Sequence, residues 1–240
     1  MSSSKVIRTQ PKSALYVSDM KTKLFLVCGA IAGPFFTIAW FVEGLTRANY
    51  DPMRHPISSL SIGEFGWTQA ANFIITGILT IALALGLRSA LQSRGGSKWG
   101  PILVGIIGIG FLGAGFFVTD PMNGYPLGTP ALPAQFTVVG RLHRLFSAFF
   151  FLGLPIACFV LARLFTRQGE HNWALYSRVT GVTFIVMFIV TTVGFSQVEG
   201  LVDYAGLLQR ITVTIGLTWL TLLPIYLLKR PQEFNRVGGN

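Results

Sequence analysis

Six apolar runs of about twenty residues, divided by short polar stretches, set the pattern of this chain. They cover approximately 22–42, 68–91, 99–119, 139–162, 173–195 and 207–228. A helix rises 1.5 Å per residue, so a run of this length crosses a hydrocarbon core roughly 30 Å thick. Strands are excluded by length, and an open sheet edge is not viable in lipid. Helices buried in a soluble protein would need charged faces that these segments lack. The pattern predicts an all-α polytopic membrane protein, a bundle of six transmembrane helices over 22–228. A basic tail, 1–21, precedes it and a short tail, 229–240, comes after it.

Composition sharpens the class. Of 240 residues, 51% are hydrophobic and only 12% are charged, with a mean hydropathy of +0.58. Soluble domains carry about 25% charged residues. The net charge of +10 is distributed unevenly. Lys5, Arg8, Lys12, Lys21, Lys23, Arg88, Arg94, Lys98, Arg163, Arg167, Arg178, Lys229, Arg230 and Arg236 fall on one side of the predicted bundle. Only Arg47, Arg54, Arg141, Arg144 and Arg210 fall on the other. The positive-inside rule then places both termini in the cytoplasm. That bias accounts for the charge, no nucleic-acid-binding motif accompanies it, and the expected partners are membrane lipids. The first apolar run is long enough to span and lacks a small-residue cleavage pattern, so the basic tail reads as retained. Cys28 and Cys158 fall inside predicted helices as packing residues, without metal or disulfide spacing.

The remaining polar chemistry is one-sided. Glu43, Asp51, Glu64, Asp120, Glu199 and Asp203 all fall opposite the basic side, as do His55 and His143. The densest stretch is the connector "YDPMRHPISSLSIGEFGW", 50–67. Pro52 and Pro56 prevent a regular helix in its first half, and Gly63 and Gly66 interrupt its second half. The connector is expected to lie back on the bundle as a lid, with His55 over the opening. His143 and Ser147 are one turn apart on the fourth span. Arg210, Thr214, Thr218 and Thr221 fall within about 80° of one another on the sixth, a stripe expected to face inward. The glycines of "GIIGIGFLGAG" on the third span, Gly110 among them, read as close helix packing.

Three segments together carry a resemblance: "YDPMRHPISSLSIGEFGWTQAANFIITG", "FFVTDPMNGYP" and "GRLHRLFSAFFFLGLPIA". The chain resembles the prokaryotic membrane family catalogued as domain of unknown function 998, over about 21–228. The residues that carry it are His55, Ser58, Ser59, Asp120 and His143. The resemblance implies a six-helix protein of the prokaryotic cytoplasmic membrane and transfers no chemistry. A more distant similarity, of residue type only, is to membrane hydrolases such as the alkaline ceramidases and adiponectin-receptor-like proteins. Those use Ser, Asp and three His around zinc. This chain offers two histidines on the relevant side and one span fewer.

Three function classes fit. The first is a lipid-modifying hydrolase or acyltransferase acting on the side opposite the basic tails. Its metal version holds zinc with His55, His143 and Asp120, and a bound water attacks an ester or amide. Its metal-free version uses Ser58 or Ser59 as nucleophile, His143 as base and Asp120 as its orienter, without a GxSxG elbow. The second is a lipid- or anion-binding or transport protein, with Arg141, Arg144 and Arg210 gripping a head group beside Ser147, Thr214 and Thr218. The third is a structural membrane subunit whose polar cluster locks the loops. These classes demand different geometry: an enzyme needs His143 and Asp120 close together, a binder needs arginines converging on a cavity, and a structural cluster has every group paired with no void.

Overall fold

The computed structural model describes residues 12–92 and 96–229. The basic tail through residue 11, Arg94 and the chain from Arg230 onward lie outside the described residues. The helices are α1 (Lys12–Thr46), α2 (Gly66–Gln92), α3 (Trp99–Phe116), α4 (Val138–Arg167), α5 (His171–Phe195) and α6 (Ala205–Lys229). All six are long and apolar enough to cross a membrane, and no strand occurs among the described residues. Each expected span coincides with a helix. The first helix starts earlier than its apolar run, at Lys12. The third ends earlier, at Phe116, because Asp120 precedes Pro121 and the approach to it is extended.

The helices form a closed ring. Each packs on its neighbour in sequence, and α6 returns to pack on α1. Small residues set the closest crossings. A Cβ on Gly108 of α3 would lie 3.0 Å from the Gly77 carbonyl of α2, and one on Gly110 would lie 2.7 Å from the Phe146 carbonyl of α4. The expected packing role of these glycines is what the structure shows. Pro34, Pro155 and Pro224 sit within α1, α4 and α6; in a bundle, neighbouring groups can satisfy a freed carbonyl.

Large apolar side chains face outward on the spans: Leu24, Ile31 and Ile38 on α1, Ile75 and Ile78 on α2, Leu152 and Ile156 on α4, Val182 and Ile189 on α5. Such a belt is costly in water and costs nothing in hydrocarbon. Inside the ring the core is aromatic at one level, where Phe73, Phe36, Phe111, Phe150 and Phe184 form a chain of ring contacts 5.1–5.7 Å between successive centroids. Towards the end where α2 meets α3 and α4 meets α5, Leu87, Leu154 and Leu161 are fully buried, and a second aromatic group, Phe165, Trp173 and Tyr226, joins α4, α5 and α6. The opposite end, the lid end, carries the three long or polar connectors, 47–65, 117–137 and 196–204.

Candidate functional site

The connector 47–65 folds back over the ring. Ile57–Ser61 makes one turn of 3₁₀ helix, with Ile57, Ser59, Leu60 and Ser61 buried. Its anchor is Arg210, from the second turn of α6. The Arg210 Nη1 donates to the carbonyls of His55 (3.0 Å) and Gly206 (2.9 Å), and Nη2 donates to the Tyr50 hydroxyl oxygen. The guanidinium also lies over the rings of Trp40 and Tyr50, 5.1 and 5.6 Å from their centroids. Gly206 permits this contact, since a Cβ there would meet the His55 and Pro52 carbonyls at 2.6 and 2.7 Å. Gln209 accepts from the Ile57 N–H at 2.8 Å.

His55 belongs to this anchor. Its Nδ1 accepts from the Asp51 N–H at 2.8 Å, so the ring carries its proton on Nε2. Its ring packs between Tyr50 and Tyr125, at 5.5 and 5.2 Å. Burial holds its pKa below the ordinary value; nearby Asp51 opposes this and Arg54 reinforces it. Burial also pushes the Tyr50 phenol up to about 12, against the opposing pull of Arg210, so it stays a neutral hydroxyl. Asn123 ties three connectors together: its Nδ2 donates to the Arg54 carbonyl (3.1 Å) and its Oδ1 accepts from Gln197 Nε2 (2.7 Å). Arg54 pairs with Asp203 at 2.7 Å.

The connector 117–137 carries a second device, which fixes the start of α4. The Asp120 carboxylate accepts from the Thr137 N–H (3.1 Å) and hydroxyl (2.7 Å). Thr137 is the N-cap, and its Oγ1 in turn accepts from the Gly140 N–H at 2.9 Å. An anion beside the first turn also suits the helix dipole. Gly140 is small enough to sit against the carboxylate, where a Cβ would collide with it. One turn on, His143 Nδ1 lies 2.7 Å from the Phe117 carbonyl and 3.1 Å from that of Ala114, where α3 ends. Carbonyls only accept, so this nitrogen carries the proton and the neutral ring keeps its lone pair on Nε2. The two histidines therefore hold opposite tautomers.

Beneath the lid lies a cavity of about 540 Å³, within the roughly 300–1,000 Å³ of small-molecule sites. Eight phenylalanines line it, 36, 73, 111, 136, 150, 151, 188 and 195. Its polar lining comes from Ser58 of the lid, Thr119 and Asp120, the α4 residues His143, Arg144 and Ser147, and Thr192, Ser196 and Gln209. Arg144 lays its guanidinium over the Phe136 ring, 4.1 Å from the centroid.

A family model described as "Protein of unknown function (DUF998)" matches residues 30–226. The chain belongs to the DUF998 family. No curated protein and no solved structure matches it.

Of the residues singled out in the sequence of this DUF998 protein, Ser58, Asp120, His143, Arg144 and Ser147 line the cavity together. The others do not. Ser59, in the lid's own 3₁₀ turn, is fully buried, its hydroxyl unpartnered among the described residues. Arg210 is consumed by the lid anchor, and Arg141, on the exposed face of α4, does not line the cavity. Of the three arginines, Arg144 alone lines the cavity. Thr214 and Thr218 face outward: the arc of α6 buried between α1 and α5 is the one carrying Thr212, Val213, Gly216, Leu217 and Leu220, and the threonine stripe runs off its edge beyond Arg210. The buried threonine of α6 is Thr212, 3.0 Å from Thr191.

His55 is likewise absent from the cavity wall, and among the described residues no three His, Cys, Asp or Glu are grouped to hold a metal ion. The His55–His143–Asp120 zinc triad is thus corrected: His55 spends its Nδ1 on Asp51, and both Asp120 oxygens serve Thr137. Asp120 does not hydrogen-bond His143; the Ala114 and Phe117 carbonyls orient that ring instead. Gln209, Thr192, Ser196 and the phenylalanine wall lay outside the expectation. The run "FSAFFF" on α4 was the available signal for the wall.

Proposed function

We propose that this membrane protein binds an amphiphile in the cavity beneath the lid. One observation carries the reading: a phenylalanine-walled space of about 540 Å³ in which three of the hydrogen-bonding side chains, His143, Arg144 and Ser147, lie along one wall, on α4. Apolar walls with a few convergent polar groups are the general form of a small-molecule site. A cluster serving only to lock loops would leave no such void. The excess of Lys and Arg on one side of the bundle supports placing both termini in the cytoplasm of a prokaryotic cell, with the lid on the outer face of its plasma membrane. Lipids of that membrane are the nearest source of amphiphiles.

The test is the lipid carried by protein purified in mild detergent, beside Ala148→Trp, which fills the cavity from its wall. A class of amphiphile enriched over the source membrane in the wild type, and lost in the variant, is the expected result. The same bulk-lipid profile in both overturns the reading.

A second reading, hydrolysis or acyl transfer on the bound amphiphile, is favoured by His143. Its Nδ1–H is held by two carbonyls, which aims an Nε2 lone pair as a general base would need, with Ser147 one turn along the same cavity wall. His143→Gln separates the two readings: it abolishes turnover of a bound ester if the second holds, while leaving the amphiphile bound.

A further inference from the structure

The cavity has two conceivable entrances, through the lid or between helices. The lid route is closed by directed bonds: Arg210 to the His55 carbonyl, Ile57 N–H to Gln209, and Leu207 N–H to the Met53 carbonyl at 2.9 Å. Ser59 and Leu60 of the lid itself are fully buried.

The α4–α5 seam is built differently at its two ends. Away from the lid the helices are in tight contact. A Cβ on Gly181 would lie 3.0 Å from the Phe159 ring, Arg178 donates to Thr166 at 2.8 Å, and Phe165 meets Trp173. The aromatic contact nearest the lid along this seam is Phe151 stacked on Phe188, 4.8 Å between centroids. Beyond it, Arg144 and Ser147 of α4 and Thr192, Phe195 and Ser196 of α5 all line the cavity. Arg144, Thr192 and Ser196 are at the same time exposed, and so is Leu132 of the 117–137 connector, which also lines the cavity. Residues that both line a cavity and face outward mark its mouth, and this mouth opens sideways on a flank whose neighbours Leu145 and Val193 are exposed and apolar.

Charge at the mouth is also specific. Arg144 has no carboxylate within ion-pair distance among the described residues. Its planar face is spent on Phe136, which leaves its N–H edges for a ligand. The acid in the cavity wall, Asp120, is occupied by Thr137.

Resting on the amphiphile reading above, we propose that the ligand is an anionic amphiphile that enters sideways from the membrane between the lid-end halves of α4 and α5. Arg144 takes its carboxylate or phosphate oxygens at the mouth. The apolar part lies among Phe111, Phe150, Phe151 and Phe188. Hydrocarbon-dissolved ligand never crosses water on this route, and the lid stays shut.

The full chain in lipid nanodiscs tests both halves. The probes are a fatty acid, a lysophosphatidic acid and an uncharged monoacylglycerol of equal chain length. Both anions, or one of them, should bind at least about tenfold tighter than the neutral probe, the scale of one charge-assisted contact. Which anion binds tells carboxylate from phosphate. Arg144→Gln should abolish the preference while Arg144→Lys keeps part of it. Thr192→Trp and Ser196→Trp, at exposed positions of the mouth, should slow uptake severalfold, and Tyr50→Phe, which loosens the lid anchor away from the cavity wall, should not. Equal binding of charged and neutral probes overturns the anionic assignment. Wild-type uptake in both tryptophan variants, with faster uptake in Tyr50→Phe, overturns the lateral route. Wild-type protein that binds none of the three overturns the amphiphile reading itself.

Discussion

The Arg210 guanidinium donates to the Tyr50 hydroxyl oxygen across 160 residues of chain, and that hydroxyl passes the interaction on by donating to the Pro56 carbonyl at 2.9 Å. A buried cation with no carboxylate in ion-pair range among the described residues is held by two carbonyls, a phenol and two aromatic faces. Tyr50→Phe removes the phenol and leaves one guanidinium edge without an acceptor. The expected cost is about 1–3 kcal/mol, read as a lower Tm in detergent and as protease cleavage in 50–60. An unchanged Tm would show that water replaces the phenol.

Asp120 and Gly140 predict a matched pair of effects on α4. Asp120→Asn keeps the volume but leaves one oxygen to accept from two Thr137 donors, for a loss of about 1–2 kcal/mol, the usual worth of a helix N-cap. Gly140→Ala drives a methyl into the carboxylate and should cost more. Thermal unfolding of both variants checks the order. Asp120→Asn as stable as the wild type would remove Asp120 from the clamp.

The lid should loosen in acid. Burial places the His55 pKa below its unfolded value of about 6.5. Between the two values the unfolded chain binds more protons than the folded one, so stability rises with pH there. It is therefore lost as pH falls below about 6.5 through the folded pKa. Protonation would also cost the Asp51 N–H its acceptor. Hydrogen exchange of 50–62 at pH 7.5 and 5.5 should show faster opening in acid, and His55→Gln should flatten the difference. Equal exchange at both pH values would mean that His55 titrates without consequence for the lid.

Threonines on α6 divide by direction. Thr214→Val and Thr218→Val, on the outward face, should change stability by less than about 0.5 kcal/mol. Thr212→Val breaks the bond to Thr191 and should cost about 0.6 kcal/mol, the average for an interhelical bond in a membrane. A larger loss at Thr214 than at Thr212 would reverse the facing of α6.

The number and extent of the helices were legible because membrane spans announce themselves by length and apolarity alone. The lid was legible in Pro52 and Pro56, which forbid continuation of a helix. Rotation of each helix about its axis was not. α5 is apolar nearly all round and α6 scatters its threonines, so no stripe says which side faces lipid. The same lack of direction placed Thr214 and Thr218 in the cavity and left Gln209 out. Asp120 was visible as an acid at a helix end, but its partner Thr137 lies seventeen positions away in a connector without periodicity. His55 and His143 share a residue type and a side of the membrane. Their opposite fates, one in the anchor and one in the cavity, depend on which backbone groups each meets.

The aromatic floor has a consequence for traffic. Phe36, Phe73, Phe111 and Phe150 close the cavity from below, and Ile107, Leu154, Phe184 and Leu217 fill the ring beneath them at 2% exposure or less. A passage through the protein needs a second door on the far side, and here that half of the ring is solid. With the flank opening proposed above, the chamber would be a cul-de-sac: a guest arriving from one leaflet would be returned to the same one.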